Sequence, residues 1–192
     1  MIRERQPFTH ASQLGVAIGL LSISAFFIAL IVAYSFRLAD QPAWERFAVP
    51  RLLWLSTVLL AMSSATFEAA RYALRRARVS IYRVRVAATI VLAVLFLFAQ
   101  AGSATQMIAQ GVAAAANIHG SAFYMFMGLH GLHLLGGTAW LVVLYRKSAT
   151  LLAGTETQLR IHRRWAGGAA MYWHFMGVLW AVLFYFLLRW TR

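Results

Sequence analysis

The chain has 192 residues, of which 61% are hydrophobic and 12% are charged, and its mean hydropathy is +0.67. This composition is too apolar for a soluble domain of this length, and it indicates a membrane protein. The absence of cysteine excludes disulfides, thiolate metal sites and thiol nucleophiles. The formal charge of +13 does not indicate nucleic-acid binding, because the basic residues fall in the short connections between apolar segments.

Five apolar segments follow one another along the chain. Each is long enough to cross ~30 Å of hydrocarbon at ~1.5 Å per residue. The sequence therefore predicts an all-α fold, an integral membrane bundle of five transmembrane helices in a single domain of residues 1–192. The predicted helices cover residues 14–34, 52–74, 86–108, 121–145 and 166–188.

The second predicted helix ends in the only carboxylate that lies within any of the five. Glu68 has Arg71 three residues further on, so the two side chains can pair on one face of the helix. Because Glu68 lies near the predicted membrane boundary, we interpret the two as an interfacial ion pair. A chain with no other Asp or Glu inside its helices is a poor candidate for moving protons or cations by itself.

The third predicted helix is polar mainly toward its far end. Gln100, Ser103 and Gln106 are spaced by three and share one side of the helix. We expect this polar face to point at protein rather than at lipid.

The fourth predicted helix carries the stretch FYMFMGLHGLHLLGG, residues 123–137. His130 and His133 lie three residues apart, and ionisable groups at membrane depth cost a few kcal/mol or more unless they find partners. His174 on the fifth helix lies at about the same depth as His133, roughly 12 Å from the boundary nearest residues 146–165. An imidazole pair, or imidazoles bonded to Gln, Ser or backbone, is therefore geometrically reasonable.

Small residues on the last two helices favour close packing. Gly137 lies one turn beyond His133, and a row of small residues follows one side of the fifth helix, at Gly167, Ala170, Gly177 and Ala181.

Three interpretations of the histidines compete. A haem could be ligated between His133 and His174, but glycine and alanine faces leave little room for a macrocycle. Copper or zinc would need further ligands, and no carboxylate lies at that depth. We favour the third interpretation, in which the histidines are hydrogen-bonded between packed helices or to a buried lipid. The sequence thus predicts no catalytic residue and no metal site.

Basic residues are distributed unequally between the two sides of the membrane. Twelve flank the helices on the side of the N-terminus, within residues 1–12, 75–85 and 146–165, and five lie on the other side, within 37–51 and 189–192. The positive-inside rule then predicts a cytoplasmic N-terminus and an external C-terminus.

The last two helices resemble a known family. The stretch at 123–137, together with YWHF at 172–175 and the following Trp180, closely resembles the corresponding helices of subunit III of the haem-copper oxidases. Residues 50–74, with SSAT at 63–66, and the position of Gln100 are also similar to that subunit. The resemblance covers residues 50–188 well and 14–34 loosely, and it is to the short, five-helix form.

The resemblance implies a non-catalytic accessory subunit of a respiratory terminal oxidase, of the cytochrome c or quinol oxidase type. Such a subunit carries no haem or copper, packs beside subunit I, binds phospholipid, and supports proton uptake and stability. Partners would include oxidase subunit I in direct contact, subunit II and phospholipids, with a larger supercomplex as a further option. The expected location is a bacterial inner membrane.

The resemblance also gives roles to individual residues. His130, His133, Trp173 and His174 would be motif residues that fix the helix bundle. Arg146 and Lys147 match a basic position that meets lipid headgroups.

Three carboxylates of the family are absent from this chain. Gly177 and Ser103 stand at or near two of their positions, and serines replace a glutamate in residues 14–34. The pattern suggests a divergent branch, and a subunit III-like partner of a nitric oxide reductase is an alternative, as is a free-standing bis-histidine haem protein.

Overall fold

The computed structural model describes residues 8–39, 49–112 and 118–190, and these form five α-helices and one 3₁₀ segment. The helices are α1 (Phe8–Ala39), α2 (Arg51–Arg75), α3 (Val79–Ala109), α4 (Ile118–Lys147) and α5 (Glu156–Trp190), with the 3₁₀ segment Ser148–Ala153 after α4. All five helices are long and apolar enough to cross a membrane. The described residues include no β-strand, so the prediction of an all-α protein with five membrane helices is confirmed.

The chain divides into two compact units, one containing α1 and the other containing α2 to α5. In α1, the hydroxyls of Ser22, Ser24 and Ser35 each donate to the carbonyl four residues earlier, at 2.8 to 3.0 Å. These hydroxyls therefore have hydrogen-bond partners within the helix, which they need because the hydrocarbon of a membrane offers none. The single domain of residues 1–192 stays a prediction.

Helices α2 to α5 form a closed ring in which α2 packs on α3, α3 on α4, α4 on α5, and α5 on α2. The centre of this ring is filled by large side chains with almost no exposed surface, at Leu53, Phe67, Phe96, Leu134, Trp173 and Trp180. Apolar side chains also cover the outside, as at Phe98 and Leu132. A helical bundle in a membrane needs an apolar exterior because lipid surrounds it, and it is held together by the packing of its interior.

The helices run further than the hydropathy pattern predicted. The segments 75–85 and 146–165 were predicted to be connectors, but α3 begins at Val79 and α5 begins at Glu156. Arginine is a good helix former, so a helix can continue past the last apolar residue into the headgroup region. The predicted limits at Val86 and Ala166 were therefore wrong as helix starts.

A capping box explains where α5 begins. The backbone N–H of Gln158 donates to Thr155 Oγ1 at 3.4 Å, and the N–H of Thr155 donates to Gln158 Oε1 at 3.0 Å. This reciprocal pair satisfies two N–H groups that a helix start otherwise leaves unpaired.

Candidate functional site

Two tryptophans of α5 donate hydrogen bonds to hydroxyls of α2. Trp173 Nε1 donates to Ser63 Oγ at 3.1 Å, and Trp180 Nε1 donates to Thr57 Oγ1 at 3.0 Å. Ser63 Oγ also donates to the carbonyl of Leu60 at 2.7 Å, so the hydroxyl both accepts and donates. As positions on α5 advance from Trp173 to Trp180, their partners on α2 move back, which shows that the two helices are antiparallel.

Helices α4 and α5 approach closely at Gly137. A Cβ atom on Gly137 would lie 2.8 Å from Tyr172 Cε1 and 3.2 Å from Trp173 Cζ3, so only glycine fits there without displacing the rings. One turn away, Tyr172 Oη donates to the carbonyl of His133 at 2.8 Å. The Tyr172 side chain therefore occupies the space between α4 and α5 beside His133.

His130 is fully buried in an aromatic cluster. Its ring centroid is 5.3 Å from that of Trp180 and 5.9 Å from that of Phe96. Within the described part of the chain neither imidazole nitrogen of His130 has a hydrogen-bond partner. This histidine therefore joins α3, α4 and α5 through ring contacts.

The other two motif histidines have different surroundings. His133 Nδ1 donates to the carbonyl of Leu129, on its own helix, at 2.7 Å. His174 Nε2 is 3.5 Å from Glu68 Oε2 on α2. His133 is thus bonded to its own helix α4, whereas His174 contacts α2.

Glu68 is the centre of a charged cluster at one end of α2. Its carboxylate oxygens lie 2.5 Å from Arg71 Nη1 and 2.6 Å from Arg75 Nη2, in addition to the His174 contact. The Glu68–Arg71 interaction proposed from the sequence is present, and the structure adds Arg75 and His174. The contact with His174 was not foreseen, because the sequence does not give the register of α5 on α2.

The polar positions of α3 differ in burial. Gln100 and Ser103 are buried, and Gln100 Nε2 lies 3.4 Å from Ser56 Oγ of α2. Ser103 Oγ donates to its own helix, at the carbonyl of Ala99. Gln106 is half-buried.

The row of small residues on α5 is only partly used in packing. A Cβ on Gly177 would come no closer than 3.7 Å, to Ser64 Oγ, and a Cβ on Gly167 would meet nothing within 4 Å. Ala170 is buried, but Ala181 is exposed. Neither glycine of this row is therefore required by a close approach to a neighbouring helix, whereas Gly137 is.

The basic end of α4 is exposed. Arg146 and Lys147 both face outward, and Lys147 Nζ lies 4.2 Å from the centre of the Trp165 ring. A cation stacked on an indole at the end of a membrane helix fits the water–lipid boundary.

One buried contact lies in segments that had been predicted to be connectors. Tyr82 and His162 are buried, and the Tyr82 hydroxyl is hydrogen-bonded to His162 Nε2 at 3.0 Å, joining α3 to α5. The helical spacing of apolar residues continues through the arginine-rich segments 75–85 and 156–165. Following that spacing would have predicted that Tyr82 and His162 are buried.

Among the described residues, three or more His, Asp or Glu side chains never cluster as a metal site would require. The motif residues instead join α4 and α5 to their neighbours by hydrogen bonds, ring contacts and close packing. The structure thus defines a polytopic helical membrane protein whose buried polar groups connect helices.

Comparison with known proteins identifies the family. The model of cytochrome c oxidase subunit III matches residues 5–192. The cytochrome c oxidase subunit 3 of Emericella nidulans is 30% identical over 189 residues, which are 92% of this chain and 66% of that protein. The subunit 3 proteins of Synechocystis sp. and Alkalihalophilus pseudofirmus are each 29% identical, over 88% and 76% of this chain and 72% and 69% of their own lengths.

The chain therefore belongs to the cytochrome c oxidase subunit III family, which confirms the resemblance found at 123–137 and 172–175. Members of this family are non-catalytic subunits of the haem-copper oxidases. The chain spans between 49% and 72% of the length of the curated relatives it matches.

Proposed function

We propose that this chain is the accessory subunit III of a respiratory haem-copper terminal oxidase of the cytochrome c oxidase type. It packs directly beside subunit I, in a complex that includes subunit II, binds phospholipid, and supports proton uptake and stability during aerobic electron transport. The haem and copper lie in the partner subunits. The match to the family over residues 5–192 is the observation that carries this proposal.

The packing between α4 and α5 supports a role without haem. Gly137 is in contact with the rings of Tyr172 and Trp173, and Tyr172 is hydrogen-bonded to the backbone at His133. These motif residues hold α4 and α5 together within this chain. A firmly packed helix bundle is suited to a subunit that stabilises the other subunits of its complex.

The apolar outer surface supports a place beside another membrane subunit or lipid. On α3, the exposed side chains Val84, Val91 and Phe98 follow one side of the helix. Such a surface is stable only in contact with acyl chains or with apolar side chains of a partner.

Affinity purification tests the proposal. A C-terminally tagged chain is extracted from native membranes in mild detergent, and the eluate is characterised by a reduced-minus-oxidised spectrum and a protein inventory. We expect haem absorbance together with a large multi-helix oxidase subunit, and loss of both in a harsher detergent. Haem that remains with the isolated chain would contradict the proposal, and a nitric oxide reductase subunit in the inventory would place the chain in that complex instead.

A His174 variant tests whether this chain or a partner subunit ligates the haem. His174→Gln keeps a hydrogen-bonding side chain opposite Glu68, so we expect the same haem absorbance per copy of the large subunit as in the wild type. A selective loss of absorbance from an assembled complex would make His174 a ligand.

We also propose a bacterial cytoplasmic membrane, with the N-terminus in the cytoplasm. The natural chain has no cysteine, so single cysteines report sidedness without background. With a membrane-impermeant maleimide on intact cells, exposed Gln110→Cys should react and exposed Ala149→Cys should not. The opposite pattern would reverse the topology.

A further inference from the structure

A cavity of about 270 Å³ opens between the adjoining ends of α2 and α5. Its apolar wall is formed by Leu74 and Ala166, each about 1% exposed, and its polar side is formed by the guanidinium groups of Arg71, Arg75 and Arg163. Three guanidiniums around one cavity form a positively charged concave surface. None of the functions derived above uses this surface.

The carboxylates beside the cavity leave it with surplus positive charge. Arg71 and Arg75 share the single carboxylate of Glu68, while Arg163 lies 3.3 Å from Glu156. Glu68 is also contacted by His174. One carboxylate that serves two guanidiniums cannot neutralise both, so the cavity favours an anion.

The guanidiniums also retain free hydrogen-bond donors. Toward the described residues, Arg71 and Arg75 each donate through one nitrogen, and every guanidinium offers five N–H donors. The planar fork of such donors matches the oxygens of a phosphate group.

Arg163 is held in place before any ligand arrives. Its Nε donates to the carbonyl of Leu74 and its Nη2 donates to the carbonyl of Arg75, both at 3.2 Å. These bonds satisfy carbonyls at the C-terminal end of α2, and they fix one wall of the cavity. A fixed donor loses less entropy on binding than a mobile one.

The cavity lies at the edge of the apolar region, where the membrane span of α2 ends at Arg75. Arg76, the next residue, stacks on the ring of Tyr72 with its Cζ 4.6 Å from the ring centre. Aromatic and basic side chains together mark the headgroup level of a membrane. Basic pockets between transmembrane helices on the cytoplasmic side are known to receive anionic headgroups.

We propose that this cavity binds the phosphate of an anionic phospholipid, with the headgroup against Arg71, Arg75 and Arg163. The site is separate from Arg146 and Lys147, whose role was implied by family resemblance. It rests on the lipid-binding part of the proposed function, and it does not depend on which oxidase the chain joins.

The test counts phosphatidylglycerol bound to the purified complex. Wild-type and variant complexes are placed in nanodiscs of phosphatidylcholine with a minor fraction of phosphatidylglycerol, and the lipid retained per chain is measured by native mass spectrometry. We expect Arg75→Gln to reduce retained phosphatidylglycerol about tenfold, because it removes a charge-assisted hydrogen bond to the phosphate inside the cavity. Arg71→Gln should have a similar effect if Arg75→Gln fails to assemble.

Arg76→Gln is the matched control, because Arg76 is adjacent in the chain and does not line the cavity. It should retain phosphatidylglycerol as the wild type does. Equal retention in wild type, Arg75→Gln and Arg71→Gln overturns the proposal.

A second arm distinguishes lipid from free phosphate. Inorganic phosphate at millimolar concentration should not replace the bound lipid, because it lacks the acyl chains that anchor the headgroup at the membrane. If phosphate binds the wild type but not Arg75→Gln, and lipid retention is the same in both, the ligand is a free anion and the lipid assignment is wrong. Neither result depends on recovering an oxidase partner, so this test can fail while the proposed function stands.

Discussion

The two neighbours of α5 are held by different forces. Against α2, α5 uses hydrogen bonds from Trp173 to Ser63 and from Trp180 to Thr57. Against α4, it uses a close approach, with Gly137 beneath the rings of Tyr172 and Trp173. In lipid, burying apolar surface between helices brings little gain, so association must come from packing or from hydrogen bonds. The α2 side has two side-chain hydrogen bonds, whereas the α4 side combines the close approach at Gly137 with one hydrogen bond, from Tyr172 to the carbonyl of His133.

Steric disruption of the α4–α5 contact should have the largest effect. Gly137→Leu places a branched side chain where even a Cβ would be 2.8 Å from Tyr172 Cε1, and we expect a loss of about 3 kcal/mol in the free energy of unfolding. The measurement is denaturant-induced unfolding in detergent.

Gly128→Leu is the matched control for Gly137→Leu. Gly128 lies on the same helix, and a Cβ there would meet nothing within 4 Å. Leucine also has a higher helix propensity than glycine, so stability should be unchanged or higher. If both variants lose stability equally, close packing at Gly137 is not what joins α4 to α5.

Removal of one hydroxyl from the α2–α5 contact should have an intermediate effect. Ser63→Ala leaves the buried Trp173 N–H without its acceptor, and we expect a loss of about 1 kcal/mol. Neighbouring Ser64→Ala, a half-buried position, should change stability much less. A double-mutant cycle with Trp173→Phe measures the coupling, and a coupling energy near zero would show that the bond does not hold the helices.

Loss of the Tyr172 hydroxyl should have the smallest effect. Tyr172→Phe keeps the ring against Gly137 and removes only the bond to the carbonyl of His133, so we expect a loss of about 0.6 kcal/mol. Exposed Tyr185→Phe serves as the control. A loss as large as that of Gly137→Leu would mean that α4 is held by the hydrogen bond, which would remove the contrast between the two interfaces.

The number and type of the helices followed from the sequence for two reasons. Each apolar run is long, and in lipid the backbone N–H and C=O groups must hydrogen-bond within the helix. The helix ends did not follow, because hydropathy falls at the first arginine whereas helix propensity does not. The capping pair Thr155 and Gln158 was visible as T-x-x-Q and would have marked the start of α5 correctly.

The residues of the candidate site could be predicted from the sequence, but the partners that each of them contacts could not. Spacing located His130 and His133 on one side of α4, yet one became part of an aromatic cluster and the other bonded its own helix. The pairing of His174 with Glu68 depends on the register between α5 and α2, and two separate apolar patterns do not contain that register. Buried Tyr82 and His162 were missed for another reason, since they lie among arginines that suggested a connector.

The link between α2 and α3 consists of three residues, Arg76 to Arg78, and Ala77 adopts φ +56° to make the turn. For biogenesis this means that the two helices can insert as one hairpin, because so short a turn leaves almost no loop entropy to overcome. In the proposed topology its two arginines stay in the cytoplasm, so this turn never has to be translocated. Helices α4 and α5, joined by the 3₁₀ segment, are synthesised later and can insert as a second hairpin beside the first pair.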